Sequence, residues 1–229
     1  MNYPSELMEI EEWQRFGLPA QRHYSDEMSY HNWDHAEESV IDVVELGKRC
    51  ERRGIELNIG QLVTAAAWHD AGFHRNHIAF GYTTKEEYSA DLAGDFLKSQ
   101  KAEMSFMTTI QDIILGTKHN VGRPGLHALV MHRADVANIG KPYDIFATKC
   151  LLLLSEKRLE EPSLTFRGWQ LALPSFIDFT IEEALRELPQ IGEPVETADS
   201  FDVVAAQNRD RFVKELNEAE LTEKLGMVA

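Results

Sequence analysis

Apolar residues recur at helical spacing along most of the chain, and no stretch alternates with the period of two that a half-buried strand needs. Leu7, Ile10, Trp13 and Phe16 form the inward face of a helix expected over 4–16. Ser25 and Ser29 both suit as caps for the next helix, which carries Tyr30 to Glu37, runs on through Val40, Val43, Val44 and Leu46, and stops near Gly54. Asn58 caps a helix over 59–70 whose Leu62, Val63, Ala65 and Ala66 suit close packing, and which ends in Trp68-His69-Asp70. A loop over 71–82 follows, marked off by Gly72 and Gly81 and holding His74, Arg75 and His77. Thr83 or Thr84 caps a helix through Leu97, with Glu86 or Glu87 completing a capping box.

The second half continues the pattern. Phe106, Ile110, Ile113 and Ile114 mark a helix over 104–116, a turn-rich break covers 117–125, and a helix from Leu126 carries Leu129, Val130, Ala134 and Asp135 toward Gly140. Pro142 stands at the start of a helix to about Glu160. Ser163 opens another over 164–173, which Pro174 breaks or kinks before a segment over 176–188. After an exposed loop at 189–197, Phe201, Val204, Phe212, Val213 and Leu216 stripe a last helix over about 201–225. With no linker long enough to divide it, the chain 1–229 reads as one all-α domain of about nine helices. A motif-bearing core spans about 28–145, and the helices of 146–229 complete the bundle or form a homodimer surface.

Charge narrows the partners. A net charge of −15 repels nucleic acid as a polymer, so an anionic ligand requires a cation or a local basic cluster. The two cysteines, Cys50 and Cys150, lie far apart and outside any CxxC arrangement. They exclude a disulfide framework and a thiolate zinc site, and fit a reducing cytoplasm. The N-terminus lacks the basic and apolar regions of a signal peptide, and the apolar run Leu151 to Leu154 is too short to cross a bilayer. A soluble, cytoplasmic protein without membrane partners is expected.

The candidate chemistry is concentrated in a few places. His31 and His35 are four residues apart, a spacing that puts both imidazoles on one helical face. His69 and Asp70 end a helix otherwise built of apolar residues, where a carboxylate is costly unless something cationic meets it. Asp135 follows within His132-Arg133-Ala134-Asp135-Val136. Two imidazoles and two carboxylates from His35, His69, Asp70 and Asp135 make a mixed nitrogen and oxygen set. It suits an octahedral divalent ion, Mn²⁺, Fe²⁺, Co²⁺, Ni²⁺ or Mg²⁺, with Zn²⁺ also compatible, and leaves two positions open.

The order H, then HD, then D resembles the HD-domain superfamily of metal-dependent phosphohydrolases over roughly residues 28–145. Tyr30-His31-Asn32-Trp33-Asp34-His35-Ala36 resembles its first-helix signature and His69-Asp70 its namesake doublet. Three further segments resemble a small bacterial HD subfamily: Glu86-Glu87-Tyr88-Ser89-Ala90, Thr117-Lys118-His119, and Ala134-Asp135-Val136 with Ile139-Gly140. The first and last motifs are also similar to those of cyclic nucleotide phosphodiesterases, but the chain has Phe73-His74-Arg75-Asn76 in place of their HDxxHPG continuation.

The resemblance implies a metal-dependent phosphohydrolase. It would cleave a phosphoester of a small phosphorylated compound, a nucleotide first among them, by metal-bound hydroxide. It makes His35, His69, Asp70 and Asp135 the metal ligands and His31 the proton donor to the leaving oxygen, a role that suits an imidazole. Asp70 or Asp135 would orient the attacking group. Lys118, His119 and Arg123 would neutralise the substrate phosphate, with Glu86 or Glu87 facing the site. His74 stands open between a second-metal ligand and a loop residue. Two other functions fit the same residues: an HD-fold diiron oxygenase, for which His74 and His119 lie in the right interval, and a non-catalytic module that senses a nucleotide.

Overall fold

The computed structural model describes residues 5–119 and 121–215. Among them the structure is all-α, with nine α-helices and no strand. The backbone divides into two compact units, Met1–Asp135 and Val136–Ala229.

The first unit is organised around α3 (Ile59–Trp68). The run Leu62 to Trp68 is wholly buried, because this helix is apolar on every side and its three consecutive alanines let neighbours approach closely. Asn58 caps it as the sequence predicts, its side chain accepting the Gln61 N–H at 3.1 Å. Around α3 pack α2 (Trp33–Arg52), α4 (Lys85–Ser99), α5 (Met104–Leu115) and α6 (Leu126–Asp135). At the start of α4, Thr84 rather than Thr83 is the cap, and Glu87 rather than Glu86 closes the capping box.

The N-terminal segment departs from the expected helix over 4–16. The first helix, α1 (Ser5–Met8), ends early, and the chain continues as a π turn over Trp13–Gly17 and a 3-10 turn over Leu18–His23. Tertiary contacts override local propensity here. The Phe16 carbonyl accepts the Trp68 indole N–H at 2.8 Å, and the buried Trp13 ring stacks on Trp33 with centroids 6.1 Å apart. Trp33 and Trp68 are core residues.

The second unit contains a 3-10 turn at Ala137–Gly140, then α7 (Tyr143–Glu160), α8 (Phe166–Glu187) and α9 (Phe201–Glu215). Pro142 is the residue immediately before α7. Asn208 of α9 donates from Nδ2 to the carbonyls of Ile139 (3.0 Å) and Lys141 (2.8 Å), which ties the helix to that first turn. Phe212 is fully buried, edge-on to Phe146 and Phe166.

Of the break or kink expected at Pro174, the break does not occur, since α8 continues through it, and Thr165 rather than Ser163 caps the helix. The buried stripe Trp169, Leu173, Ile177, Thr180 and Ala184 runs unbroken past the proline. Burial of that stripe on both sides outweighs the one backbone hydrogen bond that proline removes. The expected extension of the last helix to Leu225 lies outside the described residues. No helix among those described is long and apolar enough to cross a membrane.

Candidate metal centre

Three helix ends of the first unit bring the candidate ligands together. His35 lies in the first turn of α2, His69 is the residue that closes α3, Asp70 follows it in the turn, and Asp135 is the last residue of α6. One donor atom from each lies within 4.8 Å of all the others. His35 Nε2 is 3.1 Å from Asp135 Oδ1 and 3.5 Å from Asp70 Oδ2. His69 Nε2 is 3.0 Å from Asp70 Oδ2, 3.3 Å from Asp135 Oδ1 and 3.4 Å from His35 Nε2.

These separations fit a shared cation. Bonds of about 2.1 Å put neighbouring donors about 3.0 Å apart in an octahedron and about 3.4 Å apart in a tetrahedron. The donor set is the nitrogen and oxygen mixture that a divalent ion accepts. Asp70 Oδ2 adds an independent indication: it is buried and makes no hydrogen bond of acceptable geometry, a costly state that a cation relieves. The His35 and His69 side chains are 1% and 0% exposed, against 13% and 23% for Asp70 and Asp135. The imidazoles therefore form a closed floor, and the carboxylate side is the more open one.

A second contact aims the His69 imidazole. His69 Nδ1 donates to the Ala66 carbonyl at 2.7 Å, which fixes the ring orientation and turns Nε2 toward the carboxylates. Burial alone would lower the His69 pKa, but the charges of Asp70 and Asp135 outweigh it and raise it well above the ordinary histidine value. Burial likewise opposes the charge of Asp135, yet His69 and His35 hold its carboxyl well below the usual range. Asp70 is lowered in the same way by His69 and His31.

The relationship of His31 to His35 is not the one the spacing implied. Asn32 is the cap of α2: its Oδ1 accepts the His35 backbone N–H at 3.2 Å, and its Nδ2 donates to the carbonyls of Met28 (3.1 Å) and Ser29 (3.3 Å). Neither Ser25 nor Ser29 caps the helix, and His31 lies outside it. The two histidines therefore share no helical face, although their rings still meet edge-on with centroids 6.0 Å apart. What places His31 is Phe73, on which its ring stacks at 3.7 Å and 15°.

The residues expected to bind substrate are engaged with the protein. Lys118 Nζ is 2.8 Å from Glu87 Oε1, while Glu87 Oε2 accepts the backbone N–H groups of Thr83 and Thr84. The Lys118 ammonium and these amides hold the Glu87 carboxyl below its ordinary pKa. Arg123 donates to the Lys118 carbonyl at 2.7 Å and to His132 Nε2 at 2.9 Å, so it pins the break before α6. The His119 ring lies edge-on to His132. Glu86 is half-buried on the first turn of α4, and His74 is exposed.

Tyr24 belongs to no motif, yet it braces the doublet. Its hydroxyl donates to the Ala67 carbonyl at 2.9 Å, and burial, with the nearby Asp70 charge, pushes its pKa well above the usual value. The Gly72 N–H donates to the His23 carbonyl at 2.8 Å. Gly72 has φ +77°, and a Cβ there would come within 2.7 Å of the Tyr88 ring, so the turn leaving Asp70 requires glycine. No protein-family model matches the chain, and comparison with curated proteins gives no match.

Proposed function

We propose that the chain is a metal-dependent phosphohydrolase acting on a small phosphorylated compound, with a nucleotide as the leading class. The observation that carries this reading is the convergence of four donor atoms from His35, His69, Asp70 and Asp135 within 3.0–3.5 Å of their neighbours. A divalent ion bound by those atoms supplies Lewis acidity toward a phosphoryl oxygen and toward water.

The chain's own groups supply the rest. Asp70 and Asp135, on the open side, orient the attacking water and accept its hydrogen bonds. His31 gives its proton to the departing oxygen, a contribution of about 10²–10⁴-fold in rate for a well-placed general acid. Phe73 holds the His31 ring against rotation, which keeps the proton near that oxygen. The two imidazoles of the floor exclude water from the face opposite the carboxylates.

The test is hydrolysis of a panel of mono- and diesters of phosphate, nucleotides included, with Mn²⁺, Co²⁺, Ni²⁺, Mg²⁺ or Fe²⁺, the Asp70→Ala variant serving as the control. Metal-dependent phosphate release that Asp70→Ala abolishes supports the reading. Activity retained in Asp70→Ala refutes the site. Oxygen consumption after anaerobic loading with Fe²⁺ would replace the hydrolase reading with an oxygenase.

A further inference from the structure

Two arginine–histidine pairs lie together beside the turn that carries Asp70. Arg22-His23 ends the N-terminal 3-10 turn, and His74-Arg75 follows Phe73. The Gly72 to His23 backbone hydrogen bond joins the two segments. In each pair the guanidinium Nε donates to its neighbour's imidazole Nε2, at 3.3 Å for Arg22 and His23 and 3.4 Å for Arg75 and His74. Both guanidinium groups are also steadied by aromatic residues: Arg22 lies over the Phe96 ring at 5.4 Å, and Arg75 Nη1 donates to the Tyr88 hydroxyl at 3.5 Å.

We propose that Arg22, His23, His74 and Arg75 form an anion site that takes a phosphate group, distinct from the metal centre. The inference does not rest on the hydrolase reading. Carboxylates outnumber basic side chains by 38 to 23 in this chain, yet among the described residues neither arginine pairs with one. Clustering like charge without such a partner is unfavourable, and an anionic ligand reverses the sign of that interaction. Among the described residues, the Glu27 charge acts on His74.

The hydrogen-bond roles are complementary to a phosphate. Burial and Arg22, followed by Arg75 and His74, lower the His23 pKa, while burial and Arg75 lower that of His74. Neutral imidazoles that accept at Nε2 carry their proton on Nδ1 and offer it as a donor. Both arginines are exposed residues, and a guanidinium offers a fork of N–H donors that matches phosphate oxygens: both terminal nitrogens of Arg22, and Nη2 of Arg75 beside the Nη1 that meets Tyr88.

Isothermal titration of the full-length, metal-free chain with inorganic phosphate and pyrophosphate at low salt tests the proposal. Pyrophosphate should bind the wild type and bind Arg22→Ala/Arg75→Ala about tenfold or more weakly. Arg22→Lys/Arg75→Lys keeps the charge but loses the fork, and should fall between them. Binding that survives in the alanine variant, or no binding by the wild type at millimolar pyrophosphate, overturns the site. Should the alanine variant misfold, histidine ring-proton NMR of the wild type decides: pyrophosphate must shift His23 and His74 first, and a first shift elsewhere refutes the proposal. Asp70→Ala separates two sources of the phosphate. Unchanged affinity assigns the cluster a ligand of its own, and altered affinity makes the bound group the far phosphate of a molecule that reaches the metal centre. Both results support the site.

Discussion

Asn32 Oδ1 accepts the backbone N–H of His35 at 3.2 Å, so one amide side chain both starts α2 and sets the height of a candidate metal ligand. Asn32→Ala removes the cap and leaves an amide near the site without its acceptor. The expected loss is about 0.5–2 kcal/mol of stability. Metal affinity should fall by about 10–100-fold, the range seen when a group behind a ligand is removed. Asn32→Asp, which can still cap, should recover most of both. Thermal unfolding and metal titration measure the two effects; an alanine variant with unaltered metal affinity would separate the cap from the site.

His31 and Asp70 should differ in what their loss does. Asp70→Ala removes a converging oxygen and should lower bound metal, measured by elemental analysis after dialysis. His31→Ala leaves all four donors in place and should retain metal while lowering turnover by about 10²–10⁴-fold. Loss of metal from His31→Ala would make His31 a ligand and end its assignment as proton donor.

The pKa directions imply a definite dependence on pH. In the metal-free chain His69 is raised. Its contribution to stability is complete below about pH 6.5 and is lost as pH rises through its elevated value. Asp135 is depressed, so its contribution holds above about pH 3.9 and is lost as pH falls toward its lowered value. A cation must displace the His69 proton, so stabilisation by Mn²⁺ should grow across the interval in which the metal-free chain weakens. Tm measured with and without Mn²⁺ from pH 6 to 9 gives both curves. A metal-induced shift that shrinks with rising pH contradicts the ligand role of His69.

Tyr24→Phe deletes a single half-buried hydroxyl and leaves the Ala67 carbonyl without that donor. About 1–3 kcal/mol of stability should be lost. Because the bond braces the end of α3, metal affinity should weaken as well. Denaturant unfolding monitored with metal present and absent tests this: equal destabilisation in both conditions would show that the hydroxyl supports the fold but not the site.

Lys118 is paired with Glu87, and Glu87 closes the capping box of α4. Glu87→Ala should therefore lower Tm, and Lys118→Ala should lower it less. If Lys118 meets substrate phosphate, Lys118→Ala raises KM on the best substrate found while Glu87→Gln, which frees the ammonium, lowers it. Unchanged KM in both variants would restrict the pair to a structural role.

The amino-acid sequence by itself determined the helical class and the cap at Asn58, narrowed the cap of α4 to Thr83 or Thr84, and named the four candidate ligands. Helical periodicity, capping chemistry and the cost of burying His69 and Asp70 in an apolar helix are all local signals. Tertiary structure decided what depends on distant partners. It ended the helix over 4–16 early because the Phe16 carbonyl answers Trp68, and it carried α8 past Pro174 because a buried stripe continues on both sides. It also moved His31 off the helix, because the Asn32 side chain satisfies the first turn and Phe73 supplies the stacking surface. Convergence of donors from α2, α3 and α6 within 4.8 Å is likewise a tertiary outcome. Spacing along a chain names the groups, but only the packing of three helix ends sets the distance between them.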